Sequence, residues 1–240
     1  MLELFFFGIL ILMGIYILYF LVYSSIKAEK DFALDVHRFL SRRYPKTSIV
    51  DYGGLASDPI ILSREAGPFR IIEIKVVTEK EANKTDQDLI LRGEIDPLKF
   101  KRGKSTIPSL SLHPQFRWGQ STNDIEIGIP SLDNRFIISS NDSLFPRHLL
   151  VQSDLGNLFQ KSFDLEGYYI RWSPESESPI VQVRMETMSL NSFIQAFNIL
   201  LGSVGVLSEK GYLTRNIGKS LRPESPSSVE HSVPSSYTTR

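Results

Sequence analysis

The sequence predicts an α+β protein: an N-terminal transmembrane helix, then a mainly antiparallel β-sheet domain with two packed helices. Three observations carry this. Residues 4–26 hold no charged side chain. Between residues 47 and 140, short segments alternate apolar and polar positions and are punctuated by Gly, Pro, Asn and Asp, as half-buried strands are. Two later stretches repeat apolar residues at helical spacing. The organisation that follows is an anchor over 1–26, a juxtamembrane amphipathic helix over 27–46, a soluble domain over 47–211 and a disordered Ser/Pro-rich tail over 212–240.

The anchor reads LFFFGILILMGIYILYFLVYSSI, 23 residues. As a helix it extends about 34 Å at 1.5 Å per residue, enough for a hydrocarbon core of about 30 Å. A cleaved signal peptide would carry a basic start and a small-residue cleavage site. Here Glu3 is the one charged residue ahead of the run, and nothing resembling Ala-x-Ala follows it. Tyr16, Tyr19 and Tyr23 share one helical face, and Tyr19 and Tyr23 fall where an aromatic belt meets the headgroups. Gly8 and Gly14 lie six apart, which is not the spacing of a close helix dimer. Lys27, Lys30, Arg38, Arg42, Arg43 and Lys46 follow the span and no Lys or Arg precedes it, so the basic flank predicts a cytoplasmic domain.

Phe32, Val36, Phe39 and Leu40 form an amphipathic stripe that ends at Tyr44–Pro45. It either prolongs the transmembrane helix or lies on the domain or the lipid. Strands are expected over 47–52, 59–63, 69–79, 88–92, 106–113, 124–129 and 135–140, with antiparallel pairing because no helical crossovers separate them. The polar run Asn141, Asp142, Ser143 then starts a helix, with Ser143 as N-cap and Pro146 tolerated near the start. Val151, Leu155, Leu158 and Phe159 carry that helix to about residue 161. A hairpin over 167–172 and 180–186 precedes a second apolar helix over 189–207. Its stripe is Phe193, Phe197, Leu200, Leu201 and Val204, while Asn191, Gln195 and Asn198 lie off it. A membrane span would have to bury those amides in lipid, so the helix is expected to dock on the sheet, with a second span as the alternative.

Charge is balanced, 27 basic against 27 acidic residues, which removes the bulk attraction of a nucleic-acid binder. The chain has no cysteine, which excludes disulfides, thiolate metal sites and a Cys nucleophile. The four histidines, His37, His113, His148 and His231, show no metal-ligand spacing. No phosphate loop, dinucleotide fingerprint, His-Glu-x-x-His or EF-hand loop is present. Asp142, Ser143 and His148 are neighbours in sequence, yet no nucleophile-elbow pattern surrounds them. The segments beginning at Asn83 and Asn141 are glycosylation sequons, which matter in a lumenal setting alone.

One basic cluster stands out. Lys99, Lys101, Arg102 and Lys104 surround Phe100 in an inter-strand loop. Such a loop can rest on anionic headgroups at about 1 kcal/mol per cation, or it can simply keep an edge strand soluble.

The order of parts from NRFIISSND through LLVQSDLGNLF to the hairpin and terminal amphipathic helix resembles a family of uncharacterised bacterial single-pass membrane-anchored proteins. The resemblance covers about residues 133–207, and it implies architecture without any catalytic residue or substrate. The chain is therefore expected to be a non-enzymatic interaction or scaffold module. It would be tethered to membrane lipids through residues 4–26 and would meet a protein partner, with no cofactor, metal or nucleic acid. An anionic-lipid-binding domain using the basic loop is the alternative. An enzyme whose site is assembled from dispersed residues is the third reading.

Overall fold

The computed structural model describes residues 2–45, 48–51, 61–64, 66–81, 84–103, 106–115, 124–151, 153–173 and 178–216. Residues 217–240 of the disordered tail expected over 212–240, Lys104 of the basic loop and the Asn83 sequon lie outside the described residues.

The first element is one helix, α1 (Leu2–Arg43), so the anchor and the juxtamembrane segment are continuous rather than two pieces. Its 42 residues contain no proline, and it stops where Tyr44 donates its N–H to Leu40 O at 2.7 Å, just ahead of Pro45. Its two halves differ. Described side chains from Phe7 to Tyr23 are exposed around the whole circumference, whereas Phe32, Ala33, Val36 and Leu40 are buried in the domain core.

The domain is built on an eight-stranded antiparallel sheet. In chain order the strands are β1 (Ser48–Asp51), β2 (Ile61–Arg64), β3 (Phe69–Glu81), β4 (Lys84–Ile95), β6 (Leu110–Pro114), β7 (Phe136–Ser140), β8 (Leu165–Ser173) and β9 (Ser178–Met185). Their spatial order is β1-β2-β3-β4-β9-β8-β6-β7. Period-two alternation assigns one face to the core. Ile72 and Ile74, Leu89 and Leu91, Val181 and Val183, Tyr168 and Ile170, Leu110 and Leu112, and Phe136 and Ile138 are all buried together.

Helix α5 (Leu190–Glu209) covers this face, with Phe193, Phe197 and Leu200 fully buried. It starts with Ser189 as N-cap, whose hydroxyl accepts from Ser192 N–H at 3.0 Å. The later turns of α1 lie alongside. Phe197 packs against Phe39, Tyr44, Phe69 and Phe193, with centroid distances from 5.9 to 6.4 Å. The docking expected of 189–207 is thus met, and α1 supplies a further helix to the core.

The opposite sheet face is polar. The pairing registers align Glu73, Arg92, Gln182, Tyr169, Ser111 and Ser139 in one row across six strands. Neighbouring charges satisfy one another: Arg92 meets Glu73 at 3.4 Å, Lys75 meets Glu73 at 3.1 Å, and Arg184 donates to buried Asp88 at 2.7 Å. One face covered and one face wet is the usual arrangement of an antiparallel sheet.

Several expectations need correction. Residues 124–129 do not form a strand. They run beside the edge strand β7, where Ile125 N–H donates to Ile138 O and Ile138 N–H donates to the Asp124 carboxylate, and they lead into the short helix α2 (Pro130–Asp133). A ladder needs repeated backbone exchange, and here a side chain takes one of the two bonds. The single helix over 144–161 is two, α3 (Phe145–Leu150) and α4 (Asp154–Lys161). A Cβ on Gly156 would lie 1.9 Å from Leu150 O, so the helices meet at close range around the break. Ser143 is not the N-cap. Leu144 holds that position, and its N–H is taken by Asp142 Oδ1 at 2.9 Å.

The basic loop is partly a strand, β5 (Phe100–Arg102), paired with β10 (Leu213–Arg215) in a second, two-stranded sheet. The paired structure therefore continues past residue 211 into β10. The close crossing depends on Gly103, whose added Cβ would fall 1.8 Å from Gly211 O.

Candidate functional site

Tyr19 and Tyr23 are exposed and stacked, their centroids 6.2 Å apart at 15°. They sit on the exposed half of α1, which is long and apolar enough to cross a membrane. Helix α5 passes the same test of length and composition, but its apolar stripe is spent on the sheet.

The structure spreads the described cations of the basic cluster around one end of the domain. Lys99 Nζ donates to Gly67 O at 2.9 Å and lies 3.4 Å from the Asp96 carboxylate. Arg102 donates to the Thr106 hydroxyl and covers the Trp172 ring at 5.7 Å. Lys101 is exposed on β5 beside Thr214 of β10. Gly67 packs against the Tyr44 ring at the far end of α1, since a Cβ there would sit 3.0 Å from that ring. Lys99 therefore lies near the end of α1 opposite to its apolar half. From Ile26 to Tyr44 the helix axis advances about 27 Å.

Three open cavities stand out among the described residues. The first, about 710 Å³, runs between the C-terminal half of α5 and the β5–β10 sheet, with Leu98, Phe100, Leu201 and Val204 among its apolar walls. The second, about 670 Å³, lies at the β6–β7 end of the polar row, where Ser111, Ser139 and Tyr169 face Asp124 and Asn141. The third, about 530 Å³, is a crevice between α1 and the start of α5, lined by Arg38, Arg42, Arg43 and Leu190. None of these lining sets has a sequence motif, because each is gathered from separate elements.

The polar run at 139–143 is explained by local bonding. Ser140 Oγ donates to Ser109 O at 2.6 Å, and Asn141 Oδ1 accepts from Ser109 N–H at 2.8 Å. Among the described residues no hydrogen bond joins Asp142, Ser143 and His148. His37 lies 3.5 Å from Ser41 Oγ on the same helix, and no group of three His, Asp or Glu side chains among the described residues could hold a metal.

Among the described residues three groups have displaced pKa values, and none lines the three cavities above. Burial raises the Tyr168 phenol well above its ordinary value, opposed by its 2.8 Å hydrogen bond to Ser203. Burial and then the Asp142 charge raise Tyr212. Burial lowers Arg135, against the pull of Asp164, Glu166 and Glu186. Arg135 donates to the carbonyls of Ser162, Phe163 and Leu165, which close the end of α4. These are architectural duties, absent from any short motif.

No protein-family model, curated protein or solved structure matches the chain.

Proposed function

We propose that the chain is a membrane-tethered, non-enzymatic interaction module whose α1 crosses the bilayer and holds the sheet domain at a set distance on the cytoplasmic side. One observation carries it. A single helix is exposed on all faces over its apolar turns and buried in the domain core over its later turns. An exposed apolar surface of this extent is unstable in water and stable in lipid. The continuity of α1 supports a fixed standoff, because no proline or break interrupts the passage from anchor to domain.

The same geometry weighs against the basic cluster lying on the anchoring bilayer, since Lys99 is beside the far end of α1. The test uses full-length Thr214→Cys in vesicles, with a fluorophore at the cysteine and short-range nitroxide quenchers on the headgroups. Thr214 is paired with Lys101 and exposed. Little quenching is expected at a separation of about 25 Å or more. Strong quenching that disappears when Lys99, Lys101, Arg102 and Lys104 become Ser would replace this reading with a lipid-surface domain.

Orientation has its own test. Ser143→Cys, exposed on the domain, should react with a membrane-impermeant maleimide after lysis alone. Reaction in intact cells would put the domain outside.

A further inference from the structure

Glycine in this fold marks places where another element comes close. Gly202 on α5 receives α4: its missing Cβ would lie 3.1 Å from Leu158 Cδ1 and 3.3 Å from Leu155 Cδ1. Gly93 receives the Phe69 ring, Gly103 receives the backbone at Gly211, and Gly156 receives the end of α3. Others occupy left-handed backbone, as Gly67, Gly128 and Gly211 do.

Gly205 does neither. It lies in the interior of α5, where glycine is the least favourable residue after proline, and a Cβ there would meet nothing within 4 Å. Among the described residues beyond the apolar half of α1, it is the one glycine with ordinary φ and an open Cβ direction. The opening is the groove of about 710 Å³. Leu201, Val204, Gly205 and Ser208 present one helical stripe to it, and Leu98, 82% exposed, stands on its rim.

We propose that this groove is a docking site for the chain's own C-terminal segment, residues 217–240, which comes to lie against the bare backbone at Gly205. The chain is delivered there. Asn216 lines the groove and is fastened to it, with its N–H donating to Lys99 O at 2.7 Å and its amide reaching Leu98 O at 3.2 Å. Twenty-four residues follow, carrying Ile217, Leu221, Val229, Val233 and Tyr237 as apolar candidates. A tethered segment meets its site at high effective concentration, so modest intrinsic affinity suffices and an outside ligand must compete with it.

The absence of native cysteine supplies the test. Full-length Ser208→Cys is treated with a small maleimide, alongside the same protein with those five apolar tail residues changed to Ser. Ser143→Cys in both backgrounds reports general accessibility and folding. Labelling at position 208 should be about tenfold slower with the native tail, while position 143 reacts equally in both. Equal rates at position 208 would overturn the proposal. So would protection that follows protein concentration instead of the tail sequence, which would mark the groove as a contact between two copies.

Discussion

The apolar half of α1 and the whole of α5 are both long and apolar enough to cross a membrane, yet the fold treats them oppositely. Leu12, Tyr16 and Leu18 stand free of any protein neighbour surface, while Phe193, Phe197, Ile199 and Leu200 are fully buried. The difference lies in what interrupts the apolar pattern. Residues 4–26 are interrupted by glycine and serine and by tyrosines that share one face, and that face is as exposed as the rest. In α5 the interruptions are placed, with Gln195 the exception. Ser192 and Ser203 are buried with partners at Thr187, Ser189 and Tyr168, and exposed Asn191 lies off the buried stripe. Hydropathy alone ranks the two as alike; the placing of their polar groups separates them.

The sharpest way to break the comparison is truncation on each helix. Phe197→Ala removes a ring held by four others and should destabilise the domain by about 4 kcal/mol in a denaturant titration. A loss under about 1 kcal/mol would mean that α5 is not docked as described. A smaller effect of opposite sign is expected at Gln195, whose Oε1 is buried without a partner. Gln195→Leu should raise stability by about 1 kcal/mol. It also makes α5 still more apolar, so unchanged accessibility of Ser143→Cys would show that docking, not hydropathy, sets its place.

Tyr168→Phe removes the buried bond to Ser203, whose hydroxyl keeps its own bond to Ile199 O, and should cost about 1 kcal/mol. It also changes the alkaline limb. Burial raises the Tyr168 pKa above 10.0, so the unfolded chain loses its proton first. Stability is intact below that value and falls as pH rises past it toward the folded-state pKa. Unfolding midpoints followed from about pH 9 to about pH 11 should fall less steeply in Tyr168→Phe. Tyr212, also raised, accounts for part of the remaining slope. The smallest effect belongs to the other helix: Leu18→Ala should leave domain stability within about 0.5 kcal/mol of the parent.

The sheet was legible because inward and outward positions alternate, as at Leu89, Leu91 and Ile95 against Ile90, Arg92 and Glu94. The same rule misled at Ile125, Ile127 and Ile129, where alternation belongs to a segment pinned by Asp124 and Asp133 carboxylates. Helical spacing from Val151 to Phe159 ran straight through the α3–α4 break, and Val151 itself is exposed. Strands of three residues such as β5 and β10 carry no period to read. Of the candidate sites, the apolar segment announced itself as one contiguous run. The groove beside Gly205 did not, because an ordinary helical glycine becomes informative only when its surroundings are known.

Central strands β4 and β9 are neighbours in space, and Asp88 and Arg184 across them are 96 residues apart in the chain. A sheet whose middle is closed by so distant a pair folds late and slowly, since loop closure must precede the contacts that reward it. During synthesis the proposed anchor would emerge and insert first, while β4 waits with an unpaired edge for a partner not yet made. Tethering at the start of the chain would keep such half-built sheets spread over a membrane surface rather than free to meet one another. With the anchor as proposed, the order of the parts would itself protect against aggregation during biogenesis.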